Sequence, residues 1–149
     1  MKQIASLALA AAILAGCAVT VVQPDRHPAY LHALSNLRAA RWALNHRPGG
    51  FAVSGDEAAA VGEIDAVIQD VKHAAFDDGK NLNDHPHADE VLDYRGRLHR
   101  ALDLLNQTHR NLAQEEDSPE SRELRNRSLA HLDRAIQLVH KALFDAHFD

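Results

Sequence analysis

Six apolar side chains, Leu129, Leu132, Ile136, Val139, Leu143 and Ala146, follow one another at unbroken steps of three and four residues. Such spacing places all six on one face of an α-helix, and a strand, whose faces alternate every second residue, has no use for it. A helix with a single apolar stripe has to bury that stripe against other elements, and the rest of the chain supplies matching partners. Tyr30, Leu34, Leu37, Arg41 and Leu44 repeat the spacing in a first segment that starts at Pro28, a residue suited to a first helical turn, and stops before Pro48-Gly49-Gly50. Ser54 stands three residues before Glu57 as a capping box and opens a second segment with Val61, Ile64, Ile68, Val71 and Ala75, which Gly79 ends.

The third segment carries Leu98, Leu102, Leu105 and Leu112 on one face, and the sequence predicts a helix from near Pro86 to about Glu115. Ser118-Pro119-Glu120 then provides the cap, the first-turn proline and the first-turn acid of the fourth helix. No segment combines strand-like alternation with β-branched residues. The expected fold class is all-α, an antiparallel up-down-up-down four-helix bundle in one domain, residues 28–149. In that order most of the 11 histidines gather at one end: His27, His32, His73, His85, His87, His140 and His147.

The chemistry legible in the chain concentrates between the second and third helices. Asp77 and Asp78 fall in the predicted last turn of the second helix, where carboxylates oppose the negative end of the helix dipole. Asp70, His73 and Asp77 share one helical face, with Asn81, Asn83, Asp84, His85 and His87 across the turn. Asp70, His73, Asp77, Asp84, His85 and His87 are therefore the candidate ligands of a divalent cation in a mixed oxygen and nitrogen site. The same residues also serve as an ordinary solvated turn, with Lys72 and Lys80 neutralising the acids. No two histidines lie three or four residues apart, so no single helix presents an imidazole pair, and there is no Cys-x-x-Cys-His for covalent haem. His109 lies on the apolar seam of the third helix and is expected to be a hydrogen-bonded core residue. Gly96, between Arg95 and Arg97, is expected to permit a close helix approach or a bend.

No nucleophile elbow, phosphate-cradling loop or Cys/His pair is present, so no catalytic residue and no cofactor are assigned. Net charge is −5 with no block of basic residues, which argues against nucleic acid. The N-terminus carries a different signal. Behind Lys2, the apolar stretch Ile4 to Ala15 is too short to span a bilayer and has the length of a secretion signal. Leu14-Ala15-Gly16-Cys17 at its end, with the only cysteine, resembles the bacterial lipobox. The resemblance implies a signal peptide over residues 1–16, diacylglyceryl transfer to Cys17, cleavage before it, and a lipidated tether over 17–27. Ala18 stands where an inner-membrane retention signal of the enterobacterial type has Asp, which implies the outer membrane, facing the periplasm. His27-Pro28-Ala29-Tyr30-Leu31-His32-Ala33-Leu34 and residues 77–86 are similar to segments of small secreted helical proteins of bacteria that have no assigned activity. The expected function is a non-enzymatic binding or structural module anchored through Cys17, with an envelope protein as partner. Two rivals are a periplasmic metal-binding or metal-buffering protein and a surface whose histidines respond to pH.

Overall fold

In the structure, a computed structural model, residues 28–46, 52–76, 92–114 and 119–146 are described. They form four helices, α1 (Pro28–Asn45), α2 (Gly55–Phe76), α3 (Tyr94–Ala113) and α4 (Pro119–Asp145), and no strand among the described residues. The all-α four-helix bundle that the apolar spacing requires is what forms. The core is assembled from Leu34, Leu37 and Leu44 of α1, Ile64, Val67 and Val71 of α2, Leu98, Leu105 and Leu112 of α3, and Leu132 and Val139 of α4, all buried. Alanines complete this core, at Ala33 and Ala40 of α1, Ala101 of α3, and Ala135 and Ala142 of α4, all buried.

Each helix packs on two neighbours, giving the ring α1, α2, α4, α3, so that α2 and α3 lie diagonally opposite. Contacts at the ends fix the directions. The Arg97 guanidinium at the start of α3 donates to the carbonyl of Ala43 at the end of α1, and Asp56 and Lys141 join the start of α2 to the end of α4. Every contacting pair is therefore antiparallel, as expected. The expected up-down succession holds from α1 to α2 and from α3 to α4. Between α2 and α3 it does not, because both helices begin at the same end, and the directions run up, down, down, up. A bundle with one long crossover has this order. Phe76 and Tyr94 stand 18 positions apart in the sequence, a reach of up to about 60 Å at roughly 3.3 Å per residue, against about 33 Å for a 22-residue helix.

The beginning of α3 differs from the sequence expectation for a local reason. Leu92 and Asp93 are not helical, and the Asp93 carboxylate accepts from the Gly96 N–H at 2.6 Å, an N-cap that starts the helix at Tyr94 and not near Pro86. The same cap explains Gly96. A Cβ there would stand 2.8 Å from the Asp93 carboxylate oxygen, so the glycine makes room for the capping group and not for a neighbouring helix. The capping box at α2 forms as read: Ser54 N–H donates to Glu57 Oε2 at 2.7 Å and Glu57 N–H to Ser54 Oγ at 3.2 Å.

Gly62, inside α2, faces open space. Its replacement by alanine is expected to raise stability by about 0.5–1 kcal/mol through helix propensity. Gly96→Ala is expected to lose that gain by displacing the Asp93 cap, which is worth about 1 kcal/mol. Urea unfolding of the two variants side by side measures the contrast.

Candidate functional site

The crossover order redistributes the histidines. His32 and His73 belong to the end where α1 begins, with His109 near the end of α3, whereas His46, His99 and His140 lie toward the opposite end. The single His-rich end expected from an up-down-up-down order does not form among the described residues. Of the candidate metal ligands, Asp70 and His73 are described, while Asp77, Asp84, His85 and His87 lie outside the described residues, as do His27 and His147. Asp70 is nearly buried and spends both carboxylate oxygens on Arg127, with Nε at 2.9 Å from Oδ2 and Nη2 on Oδ1. The Asp70 carboxylate is thus already engaged by a cation of the protein itself. His73 is exposed, and among the described residues no three His, Cys, Asp or Glu side chains gather as a metal site.

A buried polar node occupies the opposite end. Glu57 in the first turn of α2 is fully buried, and Arg97 in the first turn of α3 is buried to all but 3 %. Arg97 donates to the Ala43 carbonyl, lies 3.9 Å from Glu57 Oε1 and places its guanidinium 5.6 Å from the centre of the Tyr94 ring. Tyr94 in turn donates its hydroxyl to Glu57 Oε2 at 3.4 Å. One carboxylate and one guanidinium thus tie α1, α2 and α3 together, with the ring of Tyr94 shielding the cation. The cap spacing identified Glu57, but neither its burial nor its partner was visible in the sequence.

Along the seam of α2 and α4 runs a ladder with heptad spacing on both sides. Asp56, Glu63 and Asp70 of α2 meet Lys141, Arg134 and Arg127 of α4 in turn. Asp56 and Lys141 approach to 2.8 Å, and the Asp56 carboxylate holds the Lys141 ammonium above its ordinary range. Asp70 raises Arg127 in the same way. Glu63 is held below the usual carboxylate range, first by a hydrogen bond with His131 and then by Arg134, with burial pulling the other way. On the remaining seams Arg41 of α1 reaches Asp65 of α2 at 2.6 Å, and His109 of α3 reaches Asp133 of α4 at 3.2 Å. His109 is 34 % exposed, so it is a seam residue and not the core histidine its spacing suggested; Thr108 takes the buried position and donates its hydroxyl to the Leu104 carbonyl. Trp42, half-buried on α1, packs against the core and stacks on His46 at 4.5 Å between ring centres.

Compared with known protein families, curated proteins and solved structures, the chain matches no family model, no curated protein and no solved structure.

Two outcomes follow from this geometry. Arg97→Met is expected to lower stability by about 3–5 kcal/mol, because it strands the Glu57 carboxylate in the core. Adding Glu57→Gln, which keeps a capping-box side chain, should recover at least half of the loss in urea unfolding. For Glu63, the folded carboxyl lies below its unfolded value of about 4.3, so its contribution is fully present above that pH and disappears as the pH falls through the folded value. The stability deficit of Glu63→Gln relative to the parent should therefore narrow below about pH 4.3, measured as urea midpoints from pH 6 to pH 3.

Proposed function

We propose that this chain is a lipid-anchored protein of the bacterial cell envelope, held by a diacylglyceryl group on Cys17, with the helical bundle serving as a non-enzymatic binding or structural module. The observation that carries the reading is the order of Lys2, the apolar run Ile4 to Ala15 and Leu14-Ala15-Gly16-Cys17 at the head of a chain whose described core begins at Tyr30. Cleavage before Cys17 removes nothing from that core. Acyl chains bury about 0.8 kcal/mol per CH₂, so two chains suffice for stable attachment. No described helix is long and apolar enough to cross a membrane, which is compatible with attachment by lipid. Ala18 in the second mature position favours the outer membrane.

The module reading is supported by what the buried polar groups do. Glu57, Asp70 and Arg97 are engaged in capping or joining helices, the work of a scaffold that presents its outer faces to a partner. An envelope protein is the partner class that fits a bundle tethered at a membrane.

Growth with a labelled fatty acid tests the anchor. The chain is expected to take up label and to sediment with membranes, and Cys17→Ser to do neither; an unlabelled parent chain overturns the lipoprotein assignment. Thermal unfolding with EDTA or with excess Zn²⁺, Cu²⁺ or Ni²⁺ tests the module. No shift is expected, whereas a rise of several degrees with one metal, lost on replacing His73, His85 and His87, would establish a metal-binding function.

A further inference from the structure

The middle rung of the ladder differs from the two beside it. Asp56 and Asp70 each face one cation, whereas Glu63 faces His131 and Arg134 together. His131 Nδ1 lies 2.6 Å from Glu63 Oε2, Arg134 Nε lies 3.0 Å from the same oxygen, and Arg134 Nη2 lies 2.7 Å from His131 Nδ1. An imidazole nitrogen has one position in the ring plane, filled by a hydrogen or by a lone pair. Glu63 requires the hydrogen there and Arg134 requires the lone pair, so the two neighbours make opposite demands on one atom. We propose that His131 is a proton-operated switch that determines whether Arg134 or the imidazole holds Glu63.

With the ring neutral and its hydrogen on Nε2, Nδ1 accepts from Arg134 Nη2 while Arg134 Nε donates to Glu63; the guanidinium then bridges both partners, and the contact between Nδ1 and Oε2, two acceptors, has to lengthen. Adding a proton puts hydrogens on both ring nitrogens. The 2.6 Å contact to Glu63 then becomes a charge-assisted bond, and Arg134 Nη2 faces a second donor carrying like charge. Arg134 is the partner able to leave, since its side chain is 50 % exposed against 23 % for His131. The surrounding charges are already paired. Arg127 with Asp70 and Lys141 with Asp56 lie one heptad to either side, Asp133 of α4 meets His109 of α3, and Asp65 of α2 meets Arg41 of α1. Adding that proton thus releases one guanidinium from the α2/α4 seam to the outer surface. The inference does not depend on the anchor or on the module assignment.

Nitrogen-15 NMR of the full-length chain in detergent, from pH 8 to pH 5, tests it without any variant. The Arg134 Nε resonance is expected to move with the same midpoint as the His131 ring nitrogens, while Arg127 Nε stays fixed. An Arg134 resonance that stays still while His131 titrates overturns the proposal. A double-mutant cycle with Glu63→Gln and Arg134→Met supplies a second readout: the coupling between the two should fall at least twofold between pH 7.5 and pH 5.5, and should lose that pH dependence in a His131→Asn background. An equal coupling at both pH values in the parent, or the same fall in His131→Asn, overturns it as well.

Discussion

A guanidinium buried at the end of a helical bundle has few ways to be satisfied, and the one found here dictates how the chain runs. Arg97 is met by the carbonyl of Ala43, the carboxylate of Glu57 and the ring of Tyr94. These groups belong to the end of α1, the start of α2 and the start of α3, so three points of the chain are brought to one place. α2 runs antiparallel beside α1, and the node then requires α3 to begin where α2 began. Phe76 and Tyr94 therefore stand at opposite ends of the bundle, a separation that 18 positions of chain can span. With α1, α2 and α3 placed, α4 fills the remaining corner and runs antiparallel to both helices that it touches.

Choice of neighbour is a separate matter from burial. An apolar stripe on one helix accepts the stripe of any other, and apart from Tyr30 the cores of α1 to α4 are all built from leucine, valine, isoleucine and alanine. Charge separates the alternatives. Asp56, Glu63 and Asp70 repeat every seven residues on α2, and Arg127, Arg134 and Lys141 repeat every seven on α4, so each acid finds a base only where these two helices lie side by side. Exposed ion pairs contribute little individually, about 0–1 kcal/mol. Their value here is in specifying the partner, as at the flanking positions of a coiled coil. Small buried residues, Ser128, Ala135 and Ala142, recur at the same heptad spacing on α4.

The limits of the sequence follow from the same distinction. Three-four spacing tells which face of a helix is buried, and it placed Leu34, Ile64, Leu105 and Leu132 correctly in the core. It does not tell which helix covers that face, so the diagonal placement of α2 and α3, and with it the scatter of the histidines, was not legible. Local chemistry read well where both partners are near in sequence, as in the Ser54 and Glu57 capping box. It read poorly where one partner is distant: Glu57 looked like a cap alone until Arg97, 40 positions away, supplied the reason for its burial. Asp93 three residues before Gly96 was an available N-cap signal, and it outweighs Pro86 as the start of α3. The candidate cation ligand Asp70 seemed to belong with His73 because they share a face, whereas Arg127 on α4 claims it. The lipobox-like spacing proposed to place a lipid on Cys17 is linear and independent of these contacts.

The topology requires α2 and α3 to run in the same direction from a shared end. Pulsed electron resonance between spin labels tests this directly, in a Cys17→Ser background with one label at Ala59 near the start of α2 and a second at either Arg95 or Arg110 on α3, all three exposed positions. The 59–95 distance is expected to be clearly the shorter of the two, since residue 110 lies 15 positions further along α3, about 22 Å along the axis. A 59–110 distance shorter than the 59–95 distance would show that α3 runs opposite to α2 and would contradict the account.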